Sequence, residues 1–378
     1  MAITRLGPNQ DITAAKIAGQ INFKNLIING DMSIAQRGTS TSGITGTGVF
    51  VVDRWNIDEV ADSTLTMSQE NLSSGNAYNN GFKKSLKVLV TTADTSLGST
   101  QSVQLMQKIE GQYLQYLNFG TSNAKNLTLS FWYKSNVTGI HTVCIDKSDS
   151  TRATCPLEFT VSSADTWTKY TLNANANAVV QGSTATIDND NGTGFRVMWG
   201  LAYGSNYLSG TSGTWEQNGT GSFSTSNQQN IVGAVNNYVE LTGVQLEADT
   251  SASDFEFLPY DVNLRRCQRY YTRIARTGGD YAYGWGWLYG TTGGNFAIPV
   301  STPMRIQTPS VSVIGTSFAI YSNGTKQNGS TMGTIAWESN TYVIGLNTGS
   351  LSHSLDKHTA SLNNASGTPS GMEFDAEL

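Results

Sequence analysis

Five aromatic residues at alternate positions are the part of this chain best suited to contact chemistry. In the run YAYGWGWLYG, an extended backbone would turn Tyr281, Tyr283, Trp285, Trp287 and Tyr289 to one face and Ala282, Gly284, Gly286, Leu288 and Gly290 to the other. Tyr and Trp rings stack on the C–H faces of sugars, and their hydroxyl and indole N–H groups add polar handles, so the row could bind a glycan. The same row could instead pack against a second domain or a neighbouring subunit, with the glycines letting another backbone approach closely. Packing is the expected outcome, because long rows of large rings usually bury their area.

Other constellations are sparser. DNDNGTG (Asp188 to Gly194) sets oxygen ligands at alternating positions, Asp188 and Asp190 among them, as a hard cation such as calcium would accept. It departs from the helix–loop–helix calcium loop, since the glycine falls one position early and no glutamate closes it. An Asx–Gly turn leading into FRVMWGLAYG explains the same residues. Catalysis of glycoside cleavage needs two carboxylates in one cleft, and nothing in the spacing of Asp53, Asp58, Glu59, Asp188, Asp190, Glu216, Glu240 and Glu247 pairs any two of them. The three cysteines (Cys144, Cys155, Cys267) and three histidines (His141, His353, His358) show no metal-ligand spacing, and buried unpaired thiols are expected. No glycine-rich segment follows a strand and opens a helix, so no nucleotide loop is visible.

The elements that must position these groups are mostly strands. Charged residues make up 13% of the 378, roughly half the usual share, and Gly, Asn, Ser and Thr take their place, which favours turns and hydroxyl-rich strands. About ten short strand-like runs between residues 25 and 258, among them SLKVLVTT, NLTLSFWYK, HTVCIDK and FRVMWGLAYG, lack the long helices that parallel crossovers require. The expectation is an all-β chain: a jelly-roll β-sandwich over 25–258, a linking helix over 259–275, and a second, smaller β-sandwich over 276–378. One internal helical candidate is EGQYLQYLN, with Tyr113, Leu114 and Leu117 on its buried side. Residues 1–24 read as a short helical arm, with Asp11 as N-cap and Gly19 ending the turn, too short to stand alone.

The most informative segment is Val239 to Tyr271. It begins with a strand in which Val239, Leu241, Gly243 and Gln245 would face one way and Glu240, Thr242, Val244 and Leu246 the other. Pro259 then ends an extended piece, Asp261 can cap the next element, and Leu264, Cys267, Gln268 and Tyr271 fall at helical spacing. This order of TGVQLE, FE..PY and L..CQRYY resembles the junction of bacteriophage virion proteins of the tail-fibre and receptor-binding kind. The resemblance extends to NLIINGDMSIAQRG (Asn25 to Gly38), VDRW (Val52 to Trp55), KIEG (Lys108 to Gly111) and LTLSFWYKS (Leu127 to Ser135). ITAAKIAGQI is also similar to the repeat of phage fibre shafts, which are homotrimers.

That resemblance implies a virion structural protein of the phage tail or fibre, without enzymatic activity. It would be a receptor-binding subunit with a jelly roll like that of carbohydrate-binding modules, attaching to a host surface glycan. A homotrimer held to other virion tail proteins through the N-terminal arm follows from it, with no cofactor beyond a possible calcium ion. A polysaccharide depolymerase and a purely structural head fibre or connector are the alternatives. The formal net charge of −5 argues against nucleic acid, and no apolar run is long enough to span a membrane. The start MAITRLGPNQ lacks the apolar core of a secretory signal, which fits release by lysis.

Overall fold

A computed structural model describes residues 23–217, 221–276, 282–289, 293–314, 318–322, 325–329, 334–340, 343–348, 359–364 and 370–378. The arm expected at 1–24 lies outside them as far as residue 22. Strands hold 46% of the chain and helices 10%, and all the strands pair antiparallel in four sheets, so the chain is all-β.

Two of the sheets form a sandwich. The first runs in the order Ser40–Ile44, Thr64–Asn71, Lys84–Thr92, Tyr238–Glu247, Leu127–Ser135, Thr168–Ala174. The second runs Glu216–Gln217, Ala153–Val161, Gly139–Lys147, Thr193–Tyr203, Ser102–Glu110, Asn56–Val60, Val49–Phe50. The chain passes repeatedly from one sheet to the other, as in a jelly roll. Alternate residues of both sheets meet in one core, where Trp55, Phe131 and Trp199 pack edge to face or tilted at 5.4–5.5 Å between ring centroids. A separate core, built from Tyr283, Leu288, Phe296, Ile298, Ile320, Leu362, Met372 and Phe374, lies under the sheets formed after Tyr271.

Three local expectations are corrected. Strand Tyr238–Glu247 does not keep one alternation, because its pairing with Leu127–Ser135 shifts between Thr242 and Gln245, where Gly243 takes φ +62°. The bulge carries one extra residue, so Val244 and Leu246 join Val239 and Leu241 in the core. EGQYLQYLN forms two short 3-10 turns, Gly111–Tyr113 and Gln115–Leu117, rather than one helix; Leu114 and Leu117 are buried, but Tyr113 is 41% exposed. The helix expected over 259–275 spans only Tyr260–Gln268, since Tyr271, placed on it by spacing, begins strand Tyr271–Arg276 paired with Ser370–Asp375; Asp261 lies in its first turn without a side-chain capping bond. There it still complements the helix dipole.

That helix sits at a joint. Cys267 and Tyr270 pack with Ile28 and Ile34. Asn29 donates from Nδ2 to the carbonyls of Ile34 (2.9 Å) and Asp53 (3.0 Å), and its backbone amide donates to Asn263 Oδ1 (3.2 Å). Trp55 Nε1 donates to the carbonyl of Asn29 (3.1 Å), and Arg54 lies with its guanidinium 3.4 Å from the Tyr270 ring centroid. Arg54 also pairs with Glu377, which brings the last strand's tail to the same place.

Candidate functional site

The aromatic strand spans Ala282–Leu288, between Gly294–Pro299 and Thr359–Asn364. Its four described rings do not share a face. The pairing with Thr359–Asn364 shifts between Ala282 and Gly284, which reverses the alternation. Tyr283 therefore points into the core, 4% exposed, whereas Trp285 and Trp287 are 69% and 51% exposed, and Tyr289 just beyond the strand is exposed as well. Tyr281 lies outside the described residues. The expected packing of the row against another part of the chain is also corrected for Trp285 and Trp287, since nothing among the described residues covers them.

The neighbours of these two indoles explain their exposure. Trp285 stands opposite Ala297 on one side and Ser361 on the other; Trp287 stands opposite Asn295 and Thr359. Small and polar partners leave the rings standing above the sheet, with two indoles about 7 Å apart along the strand. Gly286 is needed beneath them, because a Cβ there would meet the Asn295 carbonyl oxygen at 1.7 Å. The result is a pair of exposed indoles beside the exposed Thr359, which can stack on a ring and leave a hydroxyl within reach of its substituents.

Asp188 and Asp190 lie in a turn that joins elements. The backbone amide of Asp188 donates to Asp149 Oδ2 (3.2 Å), and Asp190 Oδ1 accepts from the Gly192 amide (2.9 Å). Asn191 and Arg305 exchange two hydrogen bonds, Asn191 Nδ2 to the Arg305 carbonyl (2.8 Å) and Arg305 Nη1 to the Asn191 carbonyl (2.9 Å), so the turn docks on the later part of the chain. Burial raises the Asp149 carboxyl above its ordinary range, and Asp188 and Asp190 add to the effect. Among the described residues no group of three or more His, Cys, Asp or Glu side chains is placed to hold a metal.

The other carboxylates have structural partners. Asp53 is buried and accepts from the Gln36 backbone amide (2.8 Å) and from the Gln36 side chain; Asp58 accepts from the Gly48 amide (2.8 Å), Glu59 from Ser63 (2.8 Å) and Glu216 from the Thr211 amide (2.9 Å). Glu240 pairs with Lys134 at 3.0 Å, and Glu247 accepts from Ser253 Oγ at 2.7 Å. The three cysteines are buried and unpaired, and burial pushes the Cys155 thiol up to about 12. Such thiols are unreactive packing groups.

Two concave regions escaped the sequence reading. One, of about 450 Å³, is a polar groove on the outer face of the first sheet lined by Lys87, Lys134, Asp165, Trp167 and Glu240, whose lysines are already paired with Glu240. The other, of about 620 Å³, is lined by Phe23, Tyr113, Tyr116, Arg265, Arg266 and Arg269. The arginine run RRCQR was visible, and its helical spacing could have flagged one basic helix face. The two tyrosines that meet it come from a segment more than a hundred residues earlier.

No family model matches the chain, and no curated protein does. Among solved structures, the enzymatically active domain of tailspike protein 4 from bacteriophage CBA120 is similar at 13% identity and a TM-score of 0.30, over 60% of this chain and 21% of its own. The N-terminal endo-1,4-beta-D-xylanase 10B modules of Clostridium thermocellum, complexed with xylohexaose, share 13% identity at a TM-score of 0.28, over 57% of this chain and 30% of theirs. The family 11 carbohydrate-binding module of Clostridium thermocellum, in complex with a beta-1,3-1,4-mixed-linked tetrasaccharide, shares 12% identity at a TM-score of 0.27, over 57% of this chain and 99% of its own. This chain thus spans less than a third of the first two.

Proposed function

We propose that this protein is a phage tail-fibre or receptor-binding subunit that attaches to a host surface glycan without cleaving it. The observation that carries the reading is the exposed pair Trp285 and Trp287 on an antiparallel sheet, opposite Ala297, Asn295, Ser361 and Thr359. Large exposed rings cost the free protein by contact with water, and a sugar face covers them at little expense in ordering. The ordered motif series from Asn25 to Tyr271 supports the virion setting. One shallow platform binds weakly, so the protein acts as a homotrimer in which linked copies add up to firm attachment, held to other tail proteins through the arm at 1–24.

Binding to host cells by wild type and by Trp285→Ala tests this reading. The variant is expected to keep the wild-type melting temperature and to lose most of its attachment. Full attachment by the stable variant would overturn the platform as the receptor site. Release of reducing ends from host polysaccharide would show an enzyme instead, and a monomer in sedimentation at micromolar concentration would remove the trimer.

A further inference from the structure

The arginine-lined cleft lies at the joint, away from the aromatic platform. The helix Tyr260–Gln268 and the residue after it supply Arg265, Arg266 and Arg269; the 3-10 turns at 111–117 supply Tyr113 and Tyr116; Phe23 lines it too. Its volume, about 620 Å³, falls in the range of small-ligand sites. Basic residues in a helix's last turn also complement the helix dipole, which accounts for the presence of arginines there. It does not account for two tyrosine rings meeting them in a hollow.

The three guanidinium groups are unequally satisfied. Arg269 is committed, since its Nε and Nη2 each donate to Glu110 at 2.7 Å. Arg266 has the Asn25 carbonyl at 3.4 Å and the Phe23 ring centroid at 5.8 Å. Glu256 lies within electrostatic reach of Arg266, but its oxygens accept from the Phe23 (2.9 Å) and Asn25 (3.0 Å) amides. Burial lowers the Arg266 guanidinium below its ordinary range. Arg265 is exposed and forms no salt bridge among the described residues. Two cations with spare donors therefore face a hollow whose Tyr113 ring is accessible.

We propose that this cleft binds a carboxylate-bearing sugar, the uronic-acid unit of an acidic surface polysaccharide. Arg265 and Arg266 take the carboxylate, whose planar oxygens match the guanidinium fork as Glu110 already does on Arg269. The Tyr113 ring takes the sugar face. The assignment rests on the glycan-binding reading for the class of ligand, but it names a different site from Trp285 and Trp287.

Calorimetric titration of the full chain with oligogalacturonate, with its methyl-esterified neutral counterpart and with inorganic phosphate tests it. The acidic oligomer is expected to bind at least about tenfold tighter than the ester, and Arg265→Gln or Tyr113→Ala should weaken it by about tenfold. Arg265 is exposed, so Arg265→Gln keeps the fold; Arg266→Gln is the second variant, accepted only if its melting temperature holds. Equal binding of acid and ester, no binding of the acid, or an unchanged Arg265→Gln would overturn the proposal. So would phosphate competing as well as the oligomer, which would mark a simple anion site. Trp285→Ala should leave this titration unchanged while it loses most of its host attachment, so the two sites fail separately.

Discussion

Asp53 and Glu110 show how single carboxylates serve the joint in opposite ways. Burial pushes the Asp53 carboxyl up to about 6, against hydrogen bonds from Gln36 and the charge of Arg37. A raised carboxyl favours the folded state most below its unfolded value near 3.8, and that contribution is lost as pH rises through about 6. Between those limits wild type should lose roughly 3 kcal/mol relative to Asp53→Asn. Chemical denaturation of both proteins from pH 4 to 7 measures it, and a constant gap would refute it. At Glu110 burial alone would raise the carboxyl, but hydrogen bonds from Arg269, Tyr270 and Gln112 hold it below the ordinary range. Its contribution is therefore present at neutral pH and is lost as pH falls through the lowered folded value. Glu110→Gln leaves Arg269 without its counter-charge and should cost roughly 3 kcal/mol at pH 7, with the gap to wild type closing in acid. Denaturation midpoints across that range will show whether the gap closes.

Within elements, bulges decide which side chains do what. Gly243 sits at φ +62°, and a Cβ there would meet Phe82 Cζ at 2.6 Å and Trp132 Cδ1 at 2.9 Å. Gly243→Ala would add left-handed strain to overpacking, an expected loss of about 2–4 kcal/mol in a urea titration. A neutral outcome would mean that the strand can slip its register. The bulge also lets the segment Asn25–Gly30 lie along the strand, where Val244 donates to the Gly30 carbonyl (2.9 Å) and Leu26 to the Leu246 carbonyl (2.9 Å). The second bulge, beside Ala282, separates Tyr283 in the core from Trp285 on the platform. One extra residue thus converts part of a packing row into an exposed one.

Across the whole molecule, motifs far apart in sequence converge at one joint. Asn25–Gly38, Val52–Trp55, Lys108–Gly111 and the helix Tyr260–Gln268 meet there, and the tail after strand Ser370–Asp375 locks onto them. Arg37 reaches Asp375 at 2.9 Å and Glu377 at 3.4 Å, and Arg305 donates to the carbonyls of Ala376 (2.5 Å) and Glu377 (2.8 Å). Arg54 is buried, so Glu377→Gln leaves an uncompensated interior charge and should cost roughly 3–5 kcal/mol. Scanning calorimetry is expected to split one transition into two as the later sheets melt apart from the jelly roll. The double change Arg54→Met with Glu377→Met should recover part of the loss, because a matched apolar pair leaves no orphan charge. A single unsplit transition in Glu377→Gln would mean that other contacts suffice to couple the two cores.

The sequence by itself determined the all-β class, since low charge, abundant turn formers and short alternating runs leave few other ways to bury apolar surface. It also determined the start of the linking helix, because Pro259 and the spacing of Leu264 and Cys267 are local signals, but not its end, since pairing with Ser370–Asp375 makes Tyr271–Arg276 a strand; and it determined the burial of the unpaired cysteines. It could not determine the faces. Alternation is a period of two, and a bulge at Gly243 or beside Ala282 reverses it on account of a partner strand elsewhere in the chain. Nor could it assemble the arginine cleft, whose tyrosines and guanidinium groups meet only after the jelly roll brings residues 113–116 beside residues 265–269. Local preference is written in neighbouring residues; the small Ala297 and Ser361 beside Trp285, and Asn295 and Thr359 beside Trp287, are placed there only by the folded sheet.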